Sequence, residues 1–283
     1  ETSENCVDLV SFTSIISLIF TVAASILVPQ LMATLGQTKK GWTWLALILV
    51  VPAVIIGLLR FFFIREVRVT EKIKEEKISI KEEVGLLFKN KYALIIGCML
   101  LLSNICSNIG NVDYYCQFYL GNIGLGSVLA LSAVSVLVAL ILIPRLAHHF
   151  GMMRVLRIMT LIGVIGNLCK CFAPHSLAVF FLSSMASNLG FYPIWFMASA
   201  VIVDTMDYGE WKYGNRTQGI LSCVSGIASK LGTALGAGLQ GILLGIAGYQ
   251  GELAVQSESS MNMILGLVTW VPALICALTF IVS

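Results

Sequence analysis

The 283 residues are 58% hydrophobic and only 12% charged, with a mean hydropathy of +0.90 and a formal net charge of +3. A soluble globular chain carries about 25% charged residues, so this composition excludes an ordinary soluble protein and points to a membrane. The first residue is Glu1, and residues 1–8 lack the basic start and short apolar core of a signal peptide, so the expectation is a chain cut from something longer.

Apolar runs long enough to cross a hydrocarbon core, roughly 20 residues, recur along the whole chain. In order they cover 9–35, 42–64, 92–120, 125–147, 152–172, 177–203, 220–248 and 261–283. The first carries a mild polar stripe of Ser14, Ser17, Thr21 and Ser25. Between the second and third runs lies the only long polar insertion, 65–91, whose 78–91 part reads as a short amphipathic helix lying on the inner membrane surface. Such a linker, two spans in and with six after it, suits the junction of a six-plus-six carrier. The expected parts are therefore 1–64, the last two helices of a first half; 65–91, a cytoplasmic linker; and 92–283, a six-helix second half.

In the third run Asn104, Asn108, Asn111 and Tyr115 recur at helical spacing, as do Ser184, Asn188, Tyr192, Trp195 and Ser199 in the sixth. A polar side chain in lipid needs a partner or water, so these asparagine and aromatic stripes read as walls of a hydrated substrate cavity. The serines read as hydrogen bonds between helices. Trp195 stands out by its mid-span depth; Trp42, Trp44, Trp211 and Trp270 read as interface-belt residues near span ends. The seventh run carries Lys230 near the expected midplane, where an ammonium is costly unless paired or hydrated. It also carries Gly232-x-x-x-Gly236 and Gly241-x-x-x-Gly245, spacing that allows close helix packing.

Basic residues alternate between connections. Arg60 to Lys91 holds nine, and Arg145, Arg154, Arg157, Lys212 and Arg216 bring that side to fourteen, against Lys39, Lys40 and Lys170 on the other. The positive-inside rule then places both ends of the chain in the cytoplasm and 250–260 outside.

No enzyme reading fits: no Ser/His/Asp set, metal-spaced cluster or phosphate-binding glycine loop is present. His148 and His149, at a span end, read as solvated surface residues. The eight cysteines lie mostly in apolar runs; Cys169 and Cys171 form a C-x-C pair with nothing to complete a zinc site, so all read as small apolar residues. No metal, cofactor or nucleic-acid partner is implied; the expected partner is the lipid bilayer.

The stretch Asp204-Thr205-Met206-Asp207-Tyr208-Gly209-Glu210, with Lys212 and Arg216 after it, closely resembles the loop between helices ten and eleven of the glycoside–pentoside–hexuronide:cation symporters. Ser107-Asn108-Ile109, Trp195 and Lys230 extend the resemblance, which covers the whole chain from helix five to helix twelve. It implies an all-α membrane protein of the major facilitator superfamily, in a bacterial inner membrane, importing a sugar or glycoside with Na⁺ or H⁺ by alternating access. The coupling cation's ligands would lie mostly in early helices outside this chain. Trp195 and Lys230 would lie at or near the sugar site; Tyr192, Asn188, Asn108 and Tyr115, from the stripes above, are the further candidate substrate contacts. Asp204, Asp207, Glu210 and Arg216 would form charge pairs of a cytoplasmic gate. Helix five of sugar-transporting members carries an arginine about where this sequence has Ser14. A lysolipid carrier of the same fold, and a non-transporting membrane receptor or scaffold, are the alternative readings.

Overall fold

The structure, a computed structural model, describes residues 3–35, 39–63, 85, 87–122, 125–213, 218–251, 253 and 255–283. All regular elements among them are helical. Eight helical segments are long and apolar enough to cross a membrane, one for each predicted run.

The first two spans are the single helices α1 (Ser3–Leu35) and α2 (Lys39–Phe63). The third is divided into α3 (Lys91–Ile109) and α4 (Val112–Phe118). The fourth runs as α5 (Leu125–Ala130), a 3₁₀ turn (Leu131–Ala133) and α6 (Val134–Phe150). The fifth is α7 (Met152–Cys169), closed by a 3₁₀ turn (Lys170–Phe172). The sixth divides into α8 (Leu177–Asn188) and α9 (Tyr192–Tyr213). The seventh, α10 (Gln218–Ile246), is unbroken, and the eighth divides into α11 (Glu258–Val268) and α12 (Trp270–Val282).

The chain falls into two compact units, residues 1–19 with 81–283, and residues 20–80. Within the larger unit the start of α1 packs on α9. Ser11 Oγ reaches Met197 Sδ at 3.6 Å, and Ser14 Oγ donates to the Phe196 carbonyl at 3.2 Å. In the smaller unit α2 buries Gly41 and Leu45 and exposes Phe61, Phe62 and Phe63. Residues 64–84, which hold most of the expected linker and amphipathic helix, lie outside the described residues.

In the larger unit successive spans run in opposite directions. At one end Asn90 Nδ2 donates to the Thr205 carbonyl at 3.2 Å and Arg157 Nε to Ser283 Oγ at 3.3 Å. At the other, Tyr119 donates to the Met261 carbonyl at 3.0 Å and Tyr115 to that of Pro174. His148 is not simply solvated: its Nε2 lies 3.4 Å from an Asp8 carboxylate oxygen at the first of these ends.

Backbones meet where glycine removes the side chain. A Cβ on Gly232 would stand 2.6 Å from both Asn104 Cβ and the Leu101 oxygen, and one on Gly236 2.9 Å from Asn108 Cβ and the Ile105 oxygen. The first of the two predicted glycine pairs thus seats α10 on α3; Gly241 and Gly245 meet nothing within 4 Å. Behind this contact Ile105, Ile109, Ile264, Leu267 and Ile275 join α3, α11 and α12 in a buried cluster. On the outside Ile141, Ile158, Ile165, Leu182 and Leu274 are more than half exposed. Lipid tails are as apolar as these side chains, so in a bilayer that exposure costs little.

Candidate functional site: a polar cavity at the helix breaks

The interruptions lie beside one another. Gly110 after α3, Ser132 in the first 3₁₀ turn, Lys170 in the second, Phe191 before α9 and Val268 at the end of α11 all line one cavity of about 140 Å³. Two of the breaks show their cause. Asn111 turns from the α3 direction and caps α4, its Oδ1 accepting the Asp113 N–H at 2.9 Å. Gly110 abuts the Leu267 carbonyl, only 2.5 Å from where its Cβ would be, so no larger residue fits there. Gly190, between α8 and α9, faces Gly163 and lies 3.1 Å from Cys276 Sγ by the same measure. Broken helices at membrane depth are tolerated only where the freed backbone is buried in protein or lines a cavity, as here.

The cavity's polar groups form a connected set. Lys170 Nζ donates to Asn167 Oδ1 and Ser187 Oγ, both at 3.1 Å, and Ser187 Oγ donates to Asn167 Oδ1 at 2.7 Å. Asn167 Nδ2 donates to the Gly163 carbonyl at 3.0 Å. The Lys170 ammonium also lies 5.4 Å from the centroid of the Phe180 ring, within cation–π range. At the mouth, Asn188 Nδ2 donates to Ser132 Oγ at 2.9 Å, and Tyr192 stacks on Phe196.

Of the expected substrate contacts, Asn188 and Tyr192 line this cavity, and the other four stand elsewhere. The third-span stripe is not one face. Asn104 and Asn108 turn to α10 and bond back to the Leu100 and Asn104 carbonyls, each at 2.8 Å. Asn111 is a cap. Tyr115 is fully buried, stacked on Phe180 at 3.9 Å with its hydroxyl on Pro174. The break at Gly110 resets the helical phase, so the spacing on its two sides no longer shares an axis. Trp195 is half exposed beside Phe196. Lys230 is exposed near the middle of α10; two residues from Gly232, it sits roughly 200° around the helix from the face packed on α3.

Lys170 is the residue that sequence reading passed over. Counted from the polar turn after it, it looks like an outer-end lysine; the structure shows it 8% exposed inside the bundle. Its signal was the Asn167-x-x-Lys170 spacing, which puts both on one helix face. Trp270 is a second correction: it opens α12 mid-span, with its indole against Gly266, rather than marking a span end.

A second cavity of about 590 Å³ lies where α3 and α7 begin and α9 ends, lined by Tyr92, Arg154, Asp204 and Tyr208 among others. The Asp204–Glu210 motif is not a loop: it forms the last turns of α9. Asp204, Asp207 and Glu210 fall on its exposed side and Thr205, Met206 and Gly209 on its buried side. Asn90, another residue the sequence did not single out, caps α3 and holds these turns. Its Oδ1 accepts the Tyr92 and Ala93 amides, while its Nδ2 donates to Thr205. Arg216, the fourth expected gate residue, lies outside the described residues.

A family profile described as MFS/sugar transport protein matches residues 1–283. The chain is 27% identical over 244 residues to an isoprimeverose transporter of Lactiplantibacillus pentosus, 84% of this chain and 50% of that one. It is 26% identical over 260 residues to a putative sulfoquinovose importer of Escherichia coli, 89% of this chain and 54% of that one. With the uncharacterized symporter YjmB of Bacillus subtilis it shares 28% over 211 residues, 74% and 46% of the two chains. The chain thus spans about half the length of the curated relatives it matches. With eight apolar spans and a match along its whole length, it is a multi-pass membrane protein of the MFS/sugar transport family, within the glycoside–pentoside–hexuronide:cation symporter-like branch of the major facilitator superfamily.

Proposed function

We propose that this chain is part of a secondary-active symporter that carries a sugar or glycoside inward with Na⁺ or H⁺ by alternating access. The observation that carries the reading is the 140 Å³ polar cavity lined by four interrupted spans and the end of a fifth in an otherwise apolar bundle. Discontinuous helices near the midplane are how many secondary transporters expose polar groups to substrate. Relatives named as a symporter, an isoprimeverose transporter and a sulfoquinovose importer support sugar as the cargo.

Ligand cavities usually measure roughly 300–1,000 Å³, so a sugar engages this one by an edge, or the helices part to admit it. Asn188 supplies an amide and Tyr192 an aromatic face at the mouth. Trp195 and Lys230 offer a further aromatic face and a charge from exposed positions, while the buried Tyr115 and the α10-facing Asn108 hold the helices around it in place. At the far end Asp204, Asp207, Glu210 and Arg216 pair to close the path on the cytoplasmic side, where both chain ends lie. The coupling cation is held mainly by the half of the carrier outside this chain.

The test is uptake of a labelled glycoside into vesicles holding the whole carrier, with an imposed inward Na⁺ or proton gradient. Accumulation above equilibrium that collapses with the gradient is expected. Equilibration that ignores both gradients would refute symport.

A further inference from the structure

We propose that the Lys170 end of the cavity is a binding site for a single anionic group: chloride or a small carboxylate.

The hydrogen-bond partners suit a charged lysine. A lysine ammonium has three donors and no acceptor. Around Nζ stand only acceptors: Asn167 Oδ1, Ser187 Oγ and the face of the Phe180 ring. The nearby donors point elsewhere, Ser187 Oγ to Asn167 and Asn167 Nδ2 to Gly163. An uncharged amine would offer a lone pair that no neighbour takes up. The site is built for an ammonium.

That ammonium is 8% exposed, and among the described residues no acidic side chain lines the cavity. Its oxygen partners are neutral, and a buried charge without a counter-charge costs several kcal/mol even when hydrogen-bonded. Helix ends offset this only in part: α9 and α12 begin at the cavity with positive ends, while α3, α8 and α11 finish there with negative ones, as does α7, which runs directly into Lys170. The sign of the site is therefore set by Lys170. At about 140 Å³ the space beside it is too small for a whole sugar and large enough for a chloride or a carboxylate with some water. Tyr192, which also lines it, brings a hydroxyl for the anion's other side.

The anion comes either from solution or as a substituent of the cargo, and two arms separate these sources. In the first, the whole carrier is melted in neutral-lipid nanodiscs with sodium gluconate, too bulky for the cavity, replaced by sodium chloride or acetate at constant ionic strength. A free-anion site raises the midpoint by at least about 3 °C. In the second, a methyl hexuronide is compared with its uncharged methyl ester. An anion borne on the cargo makes the hexuronide shift the midpoint further than the ester, and chloride then competes with it. In either case the shift is lost in Lys170→Gln and kept in Lys40→Gln, an exposed lysine of α2. Should Lys170→Gln fail to fold, Ser187→Ala, which removes one neutral partner, weakens the effect severalfold. The wild-type arms require no variant at all. Equal midpoints in all salts together with equal response to hexuronide and ester would overturn the proposal, as would a shift that survives Lys170→Gln. Sugar-driven stabilisation without any anion effect would leave the transport reading standing and remove this one alone.

Discussion

Two asparagines of similar sequence context have opposite fates. Asn108 has its Cβ pressed toward Gly236 and its amide on the Asn104 carbonyl, so it seals a helix contact. Asn188 stands at the cavity mouth with its amide on Ser132. Asn108→Ala is therefore expected to leave glycoside affinity within about twofold and to lower the melting midpoint, since an intrahelical hydrogen bond contributes only about 1 kcal/mol. A glycoside titration of that variant beside its melt checks both halves; a tenfold loss of affinity would return Asn108 to the site. Lys230→Gln keeps most of the length and removes the charge, and is expected to insert normally yet lose gradient-driven accumulation. Wild-type accumulation in that variant would make the exposed lysine a bystander. What sequence could not resolve at this scale is direction. The spacing from Asn104 to Tyr115 is helical, but the chain stops being one helix at Gly110, and periodicity carried across a break assigns a face that does not exist.

Among the elements, the spans were legible and their interruptions were not. Eight runs of sufficient length and apolarity give eight helical segments because lipid leaves an isolated chain few other ways to satisfy its backbone. The break at Leu189-Gly190-Phe191 is set by Gly163 approaching from another span, a contact absent from any local window. The Gly232/Gly236 seat was legible as spacing, yet the identical spacing at Gly241/Gly245 meets nothing, so only the partner helix distinguishes them. Gly232→Ala places a methyl 2.6 Å from Asn104 Cβ and the Leu101 oxygen, and overpacking of this kind costs roughly 1–3 kcal/mol. Gly238→Ala, with open space around it, is expected to be neutral. Thermal melts of the two variants side by side check this; equal midpoints would mean that α10 is not seated on α3 in the membrane.

For the whole molecule, the charge distribution predicts sidedness. His149 is exposed at the end where α7 begins, and Val255 is 84% exposed in the α10–α11 connection at the opposite end. Gln256 beside it is unsuitable as a probe, because its amide is tied to the Gln250 and Leu253 carbonyls. In a carrier otherwise free of cysteine, Val255→Cys should react with an impermeant thiol reagent added to intact cells, and His149→Cys only after the membrane is opened. The reverse pattern would invert the topology. The fold family was readable from the Asp204–Glu210 stretch and one cavity wall from the Ser184, Asn188 and Tyr192 spacing, whereas the whole cavity was not, since it is assembled from breaks in four spans and the end of a fifth.

The central claim is that this cavity meets the cargo, and the affinity of a labelled glycoside for the whole carrier bearing Asn188→Ala tests it most directly. Loss of the amide at the mouth is predicted to weaken binding by about tenfold, roughly 1.4 kcal/mol, with only a small drop in the melting midpoint from the lost Ser132 bond. Tyr115→Phe, which removes a buried hydroxyl's bond to Pro174, should do the opposite, lowering the midpoint and sparing affinity. Wild-type affinity in Asn188→Ala, with the tenfold loss appearing in Tyr115→Phe, would contradict the placement of the site.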